Sequence, residues 1–299
     1  MFSLSEKKIK KVLIVGSNSF VGNSISNWLN KFDKSYKVDI VGTMDNEWES
    51  WDFSNYSTVI LVAGIVHIKN ADEKLYDKIN NKLSLRIFNK CCDSNCEQFI
   101  FMSTGAVYGQ NDRKHRKIIV EKNTDCNPIT PYAKSKYIAE QSMLSQASHL
   151  NLAIIRPPMI YGFGAKGNYN SLAKYTKKLH ILPKTNNRRS MIYIDNFCEF
   201  IRLIIDNNSS GIFVPQNKEY VNTTEMMELI SSVNNYRCLF TKAFNWFLYL
   251  LSFCFNSINK AFGTYIYKKE DFDYFNGAYQ VVDFKTSIYL TEKGENHEQ

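Results

Sequence analysis

Short apolar runs alternate with longer segments of helical period along the first half of the chain. Val12 to Val15 is followed by Val21, Ile25, Trp28 and Leu29, and Val59 to Ala63 is followed by Tyr76, Ile79, Leu83 and Phe88. The pattern continues with Phe99 to Met102, a helix from about Pro131 to Leu144, and a further strand at Leu152 to Ile155. This alternation predicts an α/β fold, a doubly wound parallel sheet with right-handed crossovers. After about residue 160 the rhythm changes. "YGFGAKGNYN" reads as a loop, Ser171 to Leu179 as a helix, "RRSMIYIDNFCEFIRLII" as a strand or turn plus helix, and the rest from about 216 as irregular and aromatic-rich. A Rossmann domain over 1–160 and roughly 190–215, carrying a smaller substrate-binding domain from 161–189 and 216–299, fits better than two sequential domains.

The longest apolar stretch, Ala243 to Asn259, is interrupted by Asn245, Ser252 and Asn256. It falls short of the roughly 20 apolar residues a membrane span needs, so no integral membrane segment is expected. Phe244, Phe247, Leu248, Leu251 and Phe255 stand at helical spacing, which predicts a core helix of the second domain. Lys242 and Lys260 flank it and leave open a membrane-surface or partner-binding helix.

Composition narrows the class. A chain of 299 residues, 44% hydrophobic with 6 prolines, can bury a large core and is globular rather than disordered. Its 37 basic and 29 acidic residues give a net charge of +8, suited to an anionic substrate but short of a nucleic-acid footprint. The charged start before Val12 to Val15 is too short in apolar residues for a secretion signal, so a cytoplasmic location is expected. Seven cysteines, Cys91, Cys92, Cys96, Cys126, Cys198, Cys238 and Cys254, lack paired CxxC spacing and read as free thiols, with no metal site. His67 and the other four histidines read as ordinary polar residues, and "RKHRK" from Arg113 to Lys117 as a solvated loop.

Candidate chemistry begins at "GSNSFVG", Gly16 to Gly22, directly behind the first apolar run. A dinucleotide fold sets the cofactor pyrophosphate over the first helix N-terminus, where unpaired N–H groups and the helix dipole favour negative charge. Gly16 can serve the tight turn and Gly22 the helix packing; Ser19 stands where a middle glycine is expected. Serine is a favoured helix cap and its hydroxyl can donate to phosphate. The backbone of Ser19, Phe20 and Val21 is therefore expected against the cofactor. A two-glycine loop alone is a weak signal.

In "NPITPYAKSKYIAEQ", Tyr132 and Lys136 stand four apart and share one helix face. An ammonium beside a phenol stabilises the phenolate and lowers the tyrosine pKa toward the range of a working acid-base group. Thr104, at the end of "FIFMST", can hydrogen-bond the same substrate oxygen. In isolation YxxxK is an ordinary exposed pair; the order along the chain gives it meaning.

A glycine loop at the first strand, Ser-Thr ending a later strand and YxxxK opening the next helix resemble the extended short-chain dehydrogenase/reductase family, the NAD-dependent epimerases and dehydratases. The likeness covers about residues 10 to 235. It implies that Asp52, in "WDFSNYSTVILVAG", lies against the adenine, that Ala63 and Gly64 line the cofactor, and that Asn80, in "YDKINNKL", supports the active site. It places Asn168 and Arg189 near a sugar nucleotide, expected to be UDP-linked. Arg189 suits a phosphate because a guanidinium matches its geometry with two hydrogen bonds.

Within the family the phrases "FIFMST", "RPPMIYG" and "RSMIYI" look closest to 4-keto reductases that make UDP-N-acetylfucosamine for surface polysaccharides, and next to UDP-hexose 4-epimerases. The cofactor is NAD(H) or NADP(H): Asp39 lies inside the second strand and Asp45 beyond it, and no arginine in "VGTMDNEW" favours a 2′-phosphate. The resemblance implies hydride exchange at C4 of a hexose, with Tyr132 moving the proton, Lys136 depressing its pKa and holding the nicotinamide ribose, and Thr104 orienting the oxygen. A 4,6-dehydratase fits less well, since Gly105 and Ala106 occupy the places of its Asp-Glu pair. A non-catalytic dinucleotide-binding regulator is the reading from another class, and intact Thr104, Tyr132 and Lys136 speak against it. A homodimer is the expected assembly.

Overall fold

A computed structural model describes residues 9–66, 72–94, 96–109, 111, 117–147, 149–243 and 245–294. His67 and Arg113 to Arg116 lie outside the described residues. The chain divides into two compact units, one formed by Met1–Thr104, Thr130–Arg156 and Cys198–Phe213, the other by Gly105–Ile129, Pro157–Phe197 and Val214–Gln299.

The first unit is built on a parallel sheet. Its strands are β1 (Lys10–Val15), β2 (Tyr36–Val41), β3 (Thr58–Leu61), β4 (Gln98–Met102), β6 (Asn151–Ile155) and β10 (Gly211–Phe213), in spatial order β10-β6-β4-β3-β1-β2. Val12 to Val15, Val59 to Leu61 and Phe99 to Phe101 are wholly buried, because helices on both faces leave such strands no polar side. That is why they read as unbroken apolar runs. The connecting helices include α1 (Phe20–Asn30), α2 (Glu73–Tyr76), α3 (Ser84–Asp93) and α4 (Pro131–Gln146). Between α2 and α3 the chain keeps turning as a π-helix, Asp77–Leu83. From β1 the chain builds outward to β2, then returns to the other side of β1 for β3. The order therefore reverses between β1 and β3, where open sheets of this kind hold ligands.

The second unit holds three parallel strand pairs: β5 (Lys117–Val120) with β12 (Thr264–Tyr267), β7 (Met159–Tyr161) with β9 (Met191–Tyr193), and β8 (Ile181–Pro183) with β11 (Leu239–Thr241). Its helices are α5 (Asn168–Lys178), the start of α6 (Ile194–Asp206), α7 (Thr223–Val233), α8 (Asn245–Cys254), α9 (Asn256–Phe262) and α10 (Phe284–Lys293).

Three sequence expectations change here. Residues 105–129, expected in the first domain, belong to the second unit, because β5 pairs with β12 far along the chain. The second unit is accordingly similar in length to the first rather than smaller. The region beyond 216 is not irregular: Asn222 caps α7, which buries Met226, Met227 and Ile230, and Asp283 caps α10, which buries Phe284 and Ile288. The stretch read as one core helix is two short helices that bury Ser252 and Asn259 and leave much of their apolar surface exposed. Leu248 and Leu251 are half-buried and Phe255 is exposed; Phe244 and the side chain of Phe247 lie outside what is described.

Gly16 has a φ of +132°, and a Cβ on it would lie 2.7 Å from the Ala63 amide nitrogen. Gly16→Ala is expected to cost about 1–3 kcal/mol, through the strained φ and the clash with backbone. An unchanged urea midpoint would show that β1 and β3 can part at no cost.

Candidate active site

The first turn of α1 shows what Ser19 does. Its φ and ψ are −81° and 126°, and its Oγ accepts from the Gly22 amide at 3.2 Å, the geometry of a helix cap. Left-handed backbone falls instead on Asn18, at φ +62°, one residue earlier. The hydroxyl oxygen thus serves the helix, while the first-turn amides of Phe20 and Val21 precede any intrahelical bond. A Cβ on Gly22 would meet Val62 Cγ2 at 2.9 Å, so α1 can sit this close to the strands only with glycine there.

At the end of β3, the Ala63 amide donates to the Val15 carbonyl at 3.0 Å. A Cβ on Gly64 would come within 3.0 Å of Asn80 Oδ1 and 3.2 Å of Lys136 Nζ. Asn80, fully buried in the π-helical turn, accepts from the Ile65 amide and donates to the Ile65 carbonyl and Ser135 Oγ. It clamps the chain after β3 onto α4.

Helix α4 starts at the Thr130 cap, with Pro131 in its first turn. Tyr132, Lys136 and Glu140 follow at four-residue steps on one face. Lys136 is 3% exposed; its Nζ donates to the Met102 carbonyl at 2.8 Å and lies 4.7 Å from the Phe101 ring centre. Burial lowers its pKa from 10.5 to about 8, and the Glu140 carboxylate opposes the shift. Glu140, itself 0% exposed, is held by the Arg156 guanidinium at 2.6 to 3.2 Å and by the Ser103 hydroxyl. Ser103 is thereby committed to structure, which leaves Thr104 as the hydroxyl of the pair for Tyr132.

Thr104 hydrogen-bonds the Tyr132 phenol, and the Tyr76 ring stands 6.4 Å from it. Burial raises the Tyr132 pKa, the Thr104 bond works against the rise, and the Tyr76 phenol adds to it. The expected depression by Lys136 is not what the structure shows: that ammonium is turned to the Met102 carbonyl, and the phenol is held in its neutral form.

Other expectations meet structural roles. Asp52 is exposed and caps the short turn Phe53–Asn55, accepting from the Ser54 amide and hydroxyl and from Asn55, which holds its carboxyl below the usual range. Asp39 accepts from the Tyr56 hydroxyl at 3.0 Å. Sequence reasoning missed Glu47: its Oε2 and Ser17 Oγ each lie 3.0 Å from where a Gly42 Cβ would stand, directly after β2. It missed Glu140 and Arg156 as well, whose partners are remote in sequence.

In the second unit, Asn168 is exposed as the first residue of α5, after Gly167 at φ +133°. Arg189 donates through Nη1 to Asn111 Oδ1 at 3.2 Å and to the Gly263 carbonyl at 2.9 Å. Burial lowers its pKa to about 10, and Tyr265 opposes this. A Cβ on Gly105 would stand 1.9 Å from the Tyr267 hydroxyl, and the Tyr265 hydroxyl donates to the Gly105 carbonyl.

Residues 12–214 match the NAD dependent epimerase/dehydratase family, and the chain belongs to it; it is an NAD(P)-dependent nucleotide-sugar enzyme. It is 27% identical to a UDP-glucose 4-epimerase of Vibrio cholerae, over 92% of this chain and 88% of that one. It is also 27% identical, over 67% of its length and 64% of the other's, to an N-acetyl-alpha-D-glucosaminyl-diphospho-ditrans,octacis-undecaprenol 4-epimerase of Escherichia coli O157:H7. The solved structure of a UDP-N-acetylglucosamine 4-epimerase from Bacillus cereus shares its fold, with TM-score 0.70 and 15% identity over 95% of this chain and all of that one.

The lowered Lys136 pKa has a sign that can be measured. Between about pH 8 and 10.5 the unfolded chain still holds the proton that the folded protein has released, so stability rises with pH across that window. Relative to Lys136→Met, the native protein is expected to gain on the order of 2 kcal/mol across it in urea unfolding. A gap that does not move with pH would mean the ammonium is not desolvated.

Proposed function

We propose that this enzyme oxidises and re-reduces C4 of a hexose carried on a diphosphate, with 4-epimerisation as the net reaction. The observation that carries this is Thr104 bonded to the Tyr132 phenol at the end of β4, with the Lys136 ammonium one helical turn on. The residues fit a dinucleotide. Glycine at 16 and 22 removes side chains where β1, β3 and α1 converge, leaving first-turn amides for a pyrophosphate. The nicotinamide cofactor supplies hydride acceptance and donation.

The neutral Tyr132 phenol is the proton donor that reduction of a C4 ketone needs, and its phenolate is the base for the reverse step. Thr104 holds the shared oxygen. Lys136, beside Gly64 and Asn80, is placed for a ribose hydroxyl. Arg189 is assigned to the diphosphate and Asn168 to the sugar nucleotide, on the family pattern.

The V. cholerae relative favours epimerase over the 4-keto reductase suggested by "RPPMIYG" and "RSMIYI". The dehydratase reading is opposed by Gly105, whose side-chain place the Tyr267 hydroxyl fills. To decide, purified protein is offered UDP-glucose, UDP-N-acetylglucosamine and, because the E. coli relative acts on one, a polyprenyl-diphosphate sugar. Interconversion of C4 epimers without net redox is expected. Stoichiometric oxidation of NADH or NADPH by a UDP-4-keto-6-deoxy-N-acetylhexosamine, with no epimer exchange, would replace it by the reductase. Tyr132→Phe is expected to lower kcat by about 10²–10⁴-fold with the melting temperature unchanged. Retained turnover would remove Tyr132 from the mechanism.

Glu47 bears on the choice of cofactor. A carboxylate after β2 accepts ribose hydroxyls and repels a 2′-phosphate. NAD is expected to bind more tightly than NADP, and Glu47→Ala to narrow the ratio, read by calorimetry. A ratio that survives the substitution assigns the preference elsewhere.

A further inference from the structure

Two stretches of the second unit contain no acidic residue. Residues 157–194 carry Lys166, Lys174, Lys177, Lys178, Lys184, Arg188 and Arg189 without one Asp or Glu; residues 229–269 carry Arg237, Lys242, Lys260, Lys268 and Lys269, again with none. Acidic residues number 29 among 299, so stretches of this length are otherwise expected to hold several. The fold brings the two together. β8 pairs with β11, Ile181 beside Leu239, and the start of α8 is tied to this pair by Asn245, whose Nδ2 donates to the Lys184 carbonyl at 2.9 Å.

On this basic ground α8 displays apolar side chains to solvent. Trp246 is 66%, Tyr249 55%, Leu250 51% and Phe253 44% exposed, at the three- and four-residue steps that make one helical stripe. Leu179, Ile181 and Leu239 on the adjoining segments are exposed as well. Exposed Lys177, Lys178, Lys184, Arg237 and Lys242 belong to the same segments.

We propose that this face docks peripherally on an anionic lipid bilayer, with α8 in the plane of the headgroups. Aromatic and aliphatic side chains at the acyl boundary, bordered by lysines at the phosphates, are the arrangement such helices use. A protein partner is less well matched, because interface centres are depleted in lysine. Attachment would be to the surface only: among the described residues no helix is long and apolar enough to cross a membrane. The proposal does not depend on which diphosphate carries the sugar.

The test is co-sedimentation of the full chain with phosphatidylcholine vesicles and with vesicles that also contain phosphatidylglycerol. Binding is expected only to the anionic vesicles, and salt should weaken it. The triple variant Lys177→Glu, Lys178→Glu, Lys184→Glu, and separately Trp246→Ser with Leu250→Ser, should each lower the partition coefficient on the order of tenfold or more. Melting temperature and cofactor binding should stay as they are, since all five side chains lie outside the core and the cofactor site. Absence of binding to anionic vesicles, or equal binding by both variants, overturns the proposal. So does light scattering in which Trp246→Ser with Leu250→Ser turns a dimer into a monomer while vesicle binding is absent, because the face is then a subunit interface.

Discussion

A lysine ammonium inside a protein is the constraint around which the first unit is organised. Removing Lys136 from water disfavours its charge, and the surroundings return only part of that: one carbonyl, one aromatic face, and a carboxylate one turn further along the helix. The carboxylate is costlier still to bury, and Glu140 is tolerated because Arg156 grips both its oxygens and Ser103 adds a hydroxyl. One face of α4 thus carries a graded string, with phenol, ammonium and carboxylate at successive turns, anchored from β4 and β6. Keeping the lysine at all is hard to explain by stability, since an apolar residue there would need no such support.

This string also marks the limit of reading by periodicity. Strands β1, β3, β4 and β6 were legible because both their faces are buried, so the apolar residues run together. The α4 helix buries Ser135, Lys136 and Glu140 alongside Ala133, Ala139 and Met143, which is no amphipathic pattern. The catalytic role proposed for it rests, in the sequence, only on Tyr132, Lys136 and their order behind Thr104. Arg156 and Ser103 gave no signal, because a buried ion pair between a helix and a strand leaves no local spacing to detect. The β5–β12 pairing and Glu47 were hidden for the same reason. In α8 the described members of the expected stripe, Leu248 and Leu251, are half-buried, while a second stripe of Trp246, Tyr249, Leu250 and Phe253 is exposed, as periodicity fixes a stripe without saying what covers it.

The glycine loop shows the reverse case, where an apparent defect in the motif is none. A glycine is demanded only where φ is positive or a Cβ has no room, and here those positions are 16 and 22. Position 19 has extended backbone and needs a side-chain oxygen to close the helix end, which serine supplies and glycine cannot. Asn18 takes the left-handed conformation instead, a residue that tolerates it better than most.

A segment beyond the family match at residues 12–214 shapes the surroundings of the residue just past Thr104. After Thr104 the chain enters the second unit, where the Tyr265 hydroxyl holds the Gly105 carbonyl and the Tyr267 hydroxyl stands where a side chain on residue 105 would begin. The Tyr267 ring is wholly buried and packs edge-on against Tyr108 and Phe272, so it has little freedom to withdraw. Installing a dehydratase-type acid at 105 therefore requires rebuilding an aromatic cluster rather than changing one residue. The C4 chemistry proposed here is compatible with the glycine as it stands, and the tyrosines of β12 are what keep the site of a side chain at 105 filled.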